Sequence, residues 1–126
     1  MSATFKSIHQ KYTKLFAGMN YHDNEGEIRH ILRRDGFKKI ARYKAFVRGN
    51  CVVKFSLLLT DAPPKKAVKS YISKMGIDDF VTQPLCDHSE SAQNKAYSSL
   101  LSERDWEDFA PRNCGIYKGK AVIFDW

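Results

Sequence analysis

The stretch Cys51-Val-Val-Lys-Phe-Ser-Leu-Leu-Leu59 decides the fold of this chain. Apolar residues occupy both odd and even positions in it, so a strand formed here would bury side chains on both of its faces. A strand of that kind belongs in the interior of a sheet rather than at its edge. The sequence therefore predicts a central strand over residues 51–59.

Neighbouring segments supply the rest of a small sheet. Residues 37–43 and 45–48 are rich in aromatic and branched side chains, and Gly49-Asn50 is typical of the turn between two antiparallel strands. Residues 78–87 contain Pro84 and several polar side chains, so we expect a loop or a short extended passage there.

Four segments have the apolar spacing of an amphipathic helix. In chain order they are Phe5–Phe16, Asn24–Arg34, Ala67–Met75 after Pro63-Pro64, and Ala92–Leu101 with Asp87 or Ser89 as its N-cap. Together with the strands, they predict one α+β domain over residues 1–126. In this domain a small antiparallel sheet is packed by three to four helices.

Composition narrows the class of protein. Hydrophobic residues make up 43% of the chain and charged residues 28%, and no apolar run approaches the ~20 residues that span a bilayer. The first residues lack the basic-then-apolar pattern of a secretory signal, so we expect a cytoplasmic protein with no membrane partner. Its three cysteines and four histidines show no ligand spacing, which predicts reduced thiols and neither a disulfide framework nor a zinc site.

Charge is distributed unevenly along the chain. Between Arg29 and Lys74 there are thirteen lysines and arginines against two acids, whereas residues 75–126 hold nine acids and five bases. A cationic region of this kind favours polyanions such as nucleic acid, nucleotide phosphates or an acidic protein surface. The alternative is that these side chains only solvate exposed faces of the fold.

The C-terminal residues carry an ordered polar set. Asp108 and Asn113 have the spacing Asp-x-x-x-x-Asn, and they are followed by a predicted hairpin, Cys114–Tyr117 and Ala121–Phe124, and then by Asp125. In phosphoryl transfer one Asp orients the attacking hydroxyl, while an Asn and a second Asp hold Mg²⁺. This segment resembles the catalytic loop and metal-binding strand of the protein-kinase-like superfamily, above all its divergent phage and bacterial members.

The resemblance implies a role for further residues. It makes Asp108 the catalytic residue and Asn113 and Asp125 the metal ligands, and it implies that Lys54 contacts nucleotide phosphates and pairs with Glu90 on a helix. The family's usual His before the catalytic Asp is replaced by Trp106, and Trp126 follows Asp125 where the family has Phe-Gly. No helical second lobe follows, so the expected fold is a reduced protein-kinase-like one.

The sequence leaves several functions open. The first is a reduced kinase-like protein that binds ATP and Mg²⁺, either active or as a catalytically impaired, pseudokinase-type module. The second is a basic, phage-type interaction protein that binds nucleic acid or an acidic host protein without catalysis. A third is a structural role, since aromatic ends such as Trp106 and Trp126 could form a dimer face.

Overall fold

Residues 51–56 of the predicted central strand form the middle strand of a five-stranded antiparallel sheet, and residues 57–59 of that prediction lie outside the described residues. The computed structural model describes residues 4–40, 44–56, 66–101 and 110–124. Its elements in chain order are α1 (Phe5–Leu15), α2 (Tyr21–Arg34), β1 (Lys38–Ile40), β2 (Ala45–Arg48), β3 (Cys51–Ser56), β4 (Tyr71–Met75), β5 (Asp78–Pro84), α3 (Glu90–Ser99), β6 (Cys114–Tyr117) and β7 (Lys120–Ile123). This content is α+β, as the sequence predicts.

The chain divides into two compact units. Unit 1 comprises Met1–Leu57 and Ser70–Leu85 and contains α1, α2 and the five-stranded sheet; unit 2 comprises Leu58–Lys69 and Cys86–Trp126 and contains α3 and the β6–β7 hairpin. Each unit is described by itself below. The single domain expected over residues 1–126 stays a prediction.

In unit 1, α1 and α2 pack their apolar side chains against one face of the sheet. The strand order is β1-β2-β3-β5-β4, and every neighbouring pair is antiparallel. At the centre of the core, the ring of Phe55 lies 4.8 Å from that of Tyr21, 5.3 Å from Phe80 and 5.9 Å from Phe16, centroid to centroid. These contacts join both helices to the two central strands.

Local signals explain where the helices of unit 1 begin. The side chain of Thr4 accepts a hydrogen bond from the backbone N–H of Ser7, and Asn20 caps α2 in the same way through Asp23. α2 therefore starts at Tyr21, three residues before the predicted start, and its backbone is kinked at Asn24.

The helix predicted over residues 67–75 is wrong at its C-terminal end. Residues 71–75 form β4, an edge strand, because their backbone pairs with β5 through a hairpin turn in which Gly76 has φ +64°. For residues 78–87 a loop or a short extended passage was expected, and residues 78–84 form an extended strand, β5, which is buried at every position. Buried polar residues such as Thr82 and Gln83 hid this strand from hydrophobic patterning.

The helix and the hairpin predicted in unit 2 are both present, as α3 and as β6–β7. α3 starts after Ser89, whose side chain accepts a hydrogen bond from the backbone N–H of Ala92. Its buried face contributes to a small core formed by Ala96, Leu100, Cys114 and Ile123. The described part of the chain contains no helix with the length and apolar character needed to cross a bilayer.

His9 is a buried polar residue that ties α1 to the sheet. Its Nδ1 lies 2.9 Å from Thr82 Oγ1 on β5, its Nε2 lies 2.7 Å from Ser73 Oγ on β4, and its ring stacks on Phe80 at 5.1 Å. Burial lowers the pKa of His9 below its ordinary value near 6.5. The folded state therefore holds a neutral imidazole between two hydroxyl groups.

We expect truncation of the aromatic core to destabilise unit 1 strongly. Phe80→Ala should lower the free energy of unfolding by about 3–5 kcal/mol, because it leaves a cavity beside His9, Phe16 and Phe55. Urea denaturation followed by circular dichroism measures the change. Ile77→Ala is the control, since Ile77 is 76% exposed and should shift stability by less than about 0.5 kcal/mol. Equal effects of the two substitutions would contradict the packing described here.

His9 should make the stability depend on pH. Because its pKa is lower in the folded state, the unfolded chain binds more protons between the folded pKa and about 6.5, so stability is full above that window and falls as the pH drops through it. Urea midpoints at pH 7 and pH 5 should therefore differ less in His9→Gln than in the parent. His22→Gln, an exposed control on α2, should keep the parent difference; a change as large as that of His9→Gln would refute this assignment.

Candidate functional site

Lys54 lies in the middle of the sheet of unit 1. It belongs to β3, is 8% exposed, and has Ala45 of β2 and Val81 of β5 as its cross-strand neighbours. Successive side chains of a strand point to opposite faces, so Lys54 points away from the face on which Val53 and Phe55 meet the helices. An ammonium group in this position is costly unless it is paired with an anion.

Other side chains share this face with Lys54. The pairing register places Val52 opposite Gln83, Lys54 opposite Val81, and Ser56 opposite Asp79. We call the set Val52, Lys54, Asp79, Val81 and Gln83 the Lys54 face; all five residues are buried. It combines one cation and one carboxylate with an apolar surface, which is a composition suited to a ligand that has both charged and apolar parts.

The carboxylate of Asp79 and the side-chain amide of Gln83, both on the Lys54 face, each have a polar partner. Asp79 Oδ1 lies 3.1 Å from Lys74 Nζ, whose side chain is mostly exposed, and Gln83 Oε1 accepts a hydrogen bond of 3.0 Å from Ser70 Oγ. Asp79 is diagonal to Lys54 across the β3–β5 ladder, a separation that long side chains can span. Asp79 and Gln83 were not among the predicted site residues, because a loop or a short extended passage was expected there, although the run of Phe80, Val81 and Thr82 has strand character.

In unit 2, Asn113 sits at the entrance of the β6–β7 hairpin. It ends a short 3-10 helix, Pro111–Asn113, and is 2% exposed. Its backbone N–H donates to Ala110 O at 3.0 Å, and its carbonyl accepts from the backbone N–H of Phe124 at 2.9 Å. The main chain of Asn113 is thereby joined to the residue immediately before Asp125.

The hairpin itself has strong local determinants. Lys118 and Gly119 both have positive φ, 50° and 78°, which is the conformation of a type I′ turn between antiparallel strands. Ile116 exchanges two backbone hydrogen bonds with Asp87, of 2.8 and 3.0 Å. Gly115 lies close to the backbone of Asp87, since a Cβ at position 115 would be 2.8 Å from the carbonyl oxygen of Asp87. The approach of the two backbones requires glycine.

The other predicted site residues, and Arg112 beside Asn113, have the following positions. Glu90 is the exposed first residue of α3, where the helix dipole favours an acid. Arg112 is exposed, and its carbonyl accepts a hydrogen bond of 3.4 Å from Gln93 Nε2. Asp108 and Asp125 lie outside the described residues, as do Trp106 and Trp126. Among the described residues, a hydrogen bond joins the backbones of Asn113 and Phe124.

Metal-ligand groups and cavities are two further kinds of possible binding site. Among residues 4–40, 44–56, 66–101 and 110–124, no group of three His, Cys, Asp or Glu side chains is arranged to hold a metal ion. A cavity of about 210 Å³ in unit 1 lies between the end of α1 and the β4–β5 hairpin, and its lining includes Thr13, Asn20 and Ser73. Lys54, Glu90 and Asn113, the predicted site residues that the structure describes, do not line this cavity.

No protein-family model matches the sequence, and no curated protein or solved structure is significantly similar to it.

A glycine pair tests how tightly the hairpin of unit 2 is held. Gly115→Ala should destabilise unit 2 by about 1–3 kcal/mol, because the new methyl group would press on the backbone of Asp87. The control is Gly26→Ala: Gly26 is in α2, nothing lies within 4 Å of an added Cβ, and alanine should stabilise the helix by about 0.5–1 kcal/mol. Amide hydrogen exchange rates in β6 report the stability of unit 2, and those in α2 report the stability of unit 1. Slower exchange of β6 in Gly115→Ala would contradict the prediction.

Proposed function

We propose that this chain is a reduced protein-kinase-like protein that binds a nucleotide together with Mg²⁺. The observation that carries the proposal is the hydrogen bond from the backbone N–H of Phe124 to the carbonyl of Asn113. Two residues that the resemblance makes metal ligands, Asn113 and Asp125, are twelve positions apart in sequence, and this bond brings their neighbouring backbones together across the hairpin. Oxygen ligands of this type suit Mg²⁺.

A second support comes from the strand that carries Lys54. In protein kinases the phosphate-contacting lysine lies on the third strand, after the hairpin that covers the phosphates. Lys54 lies on β3 and follows the antiparallel pair β1–β2. Val52, two residues earlier, points to the same face and supplies apolar surface next to the charge.

The proposed roles follow from the chemistry of each group. By the resemblance, Lys54 neutralises nucleotide phosphates, and Asn113 and Asp125 supply oxygen ligands to Mg²⁺. Asp108 faces the acceptor hydroxyl. The bound Mg²⁺ would supply the positive charge that the transferring phosphoryl group requires.

Binding is better supported than phosphoryl transfer. The β1–β2 region contains Gly36 but lacks the several glycines that let backbone amides approach phosphates closely. Trp106 replaces the histidine expected two residues before Asp108, and Trp126 replaces the residue expected after Asp125. We therefore propose a catalytically impaired, pseudokinase-type module.

A thermal-shift titration tests this function. ATP with Mg²⁺ should raise the unfolding temperature, because a ligand at a hundredfold excess over its Kd stabilises the folded state by about 2.7 kcal/mol. Lys54→Met and Asp125→Asn should abolish the rise, while Lys38→Met, at an exposed lysine of β1, should keep it. Mg²⁺ alone and ATP with EDTA separate the metal from the nucleotide. The absence of any shift at millimolar ATP and Mg²⁺, or an equal shift in Lys54→Met, would overturn the proposal.

A further inference from the structure

Three cations from three different elements of unit 1 converge on one aspartate. Lys11 Nζ of α1 lies 3.7 Å from Asp35 Oδ2, and Arg34 Nε at the end of α2 lies 3.1 Å from Asp35 Oδ1. Arg48 Nη1 of β2 donates to the backbone carbonyl of Asp35 at 2.9 Å. We call Lys11, Arg34 and Arg48 the Asp35 cation cluster.

The cluster carries an excess of positive charge. Tyr12 donates a hydrogen bond of 2.6 Å to Asp35 Oδ2, and this bond, together with Arg34 and Lys11, lowers the pKa of Asp35 below its ordinary value. The carboxylate is therefore ionised at neutral pH, and it balances one of the three positive charges. A local charge of about +2 remains at this point of the surface.

The cluster also keeps donors available for a ligand. A guanidinium group has five N–H donors, and Asp35 takes one from Arg34 and one from Arg48. The side chains of Lys11 and Arg34 are 58% and 59% exposed. Arginine groups held in this way can bind phosphate oxygens through paired hydrogen bonds.

The position of Arg48 is set before any ligand arrives. Its guanidinium lies 4.6 Å from the centroid of the buried Phe37 ring, which is a cation–π contact. Its Cδ is 3.5 Å from the place a Cβ would take at Gly36, where φ is +94°. Because the side chain is already ordered, less entropy is lost when a ligand binds.

Fold stability accounts for part of this arrangement. The helix dipole favours Arg34 in the last turn of α2. Cation–π contacts hold Arg48 on Phe37 and Lys11 on Tyr12, at 4.6 and 5.2 Å from the ring centroids. Exposed ion pairs contribute only about 0–1 kcal/mol, and bringing three like charges together costs part of that. The cations continue onto β1, where Lys38 and Lys39 are exposed.

We propose that the Asp35 cation cluster docks the phosphate backbone of nucleic acid without reading its sequence. The aromatic residues that contact the cluster and Asp35, Tyr12 and Phe37, are both buried, so they offer no surface on which bases could stack. Contacts to phosphates position a protein on nucleic acid but carry no sequence information. Forked arginine donors match phosphate oxygens, and the positive charge of the cluster matches the negative charge of the phosphate backbone. This surface is separate from the nucleotide site proposed at Lys54.

A charge-matched pair of double variants tests the docking surface on the full chain. Lys11→Gln/Arg34→Gln removes two cluster charges, and the control Lys95→Gln/Lys120→Gln removes two exposed charges from α3 and β7. Binding to a short fluorescent DNA duplex is measured by anisotropy between about 50 and 200 mM salt. The cluster variant should bind about tenfold more weakly at low salt, and its slope of log K against log salt should be less negative by about 1.8. The control should change affinity by less than about twofold.

Three results would overturn the docking proposal. Equal losses in the two variants would show that net charge alone holds the duplex. Competition by poly-glutamate as strong as that by DNA would point to an acidic protein partner, and no binding at 50 mM salt would exclude nucleic acid. Circular dichroism verifies folding of each variant. The response to ATP and Mg²⁺ should be the same in the cluster variant and the parent, so the two proposals fail independently.

Discussion

Burial of β3 on both faces is the constraint on which unit 1 depends. Phe55 and Val53 meet the helices, whereas Val52 and Lys54 point to the opposite face. A shift of register by one residue would exchange these sets and place the ammonium of Lys54 among aromatic rings, at a cost of several kcal/mol. The packing that stabilises the core therefore also fixes the face of the sheet to which Lys54 points.

Much of this fold could be predicted where local and tertiary preferences agree. The Gly49-Asn50 turn, the Ser89 cap and the Lys118-Gly119 turn are set by residues next to them in sequence, and all were predicted. The strand at residues 71–75 could not be predicted, because the apolar spacing of these residues suits a helix and only pairing with β5 makes them a strand. That partner was hidden in turn by polar residues, which patterning treats as exposed.

The candidate site residues and other notable polar residues also differ in how visible they are in the sequence. Lys54 could be found because a charge within an apolar run is conspicuous in sequence, and its burial in β3 is confirmed. His9 was given no role, although its spacing from Tyr12 and Phe16 places it on the buried face of α1. The convergence of cations on Asp35 needs three elements to meet, so no sequence window contains it.

The two electrostatic features of unit 1 differ in how salt affects them. Lys54 is buried in the middle of the sheet, where counterions do not reach and charge interactions are little screened. The Asp35 cation cluster faces solvent, and at physiological ionic strength its field decays within about 8 Å. A phosphate at Lys54 would therefore be held by short-range desolvated contacts, and a strand at the cluster by release of counterions. Under the two proposals, rising salt would weaken the docking of nucleic acid more steeply than the binding of a nucleotide.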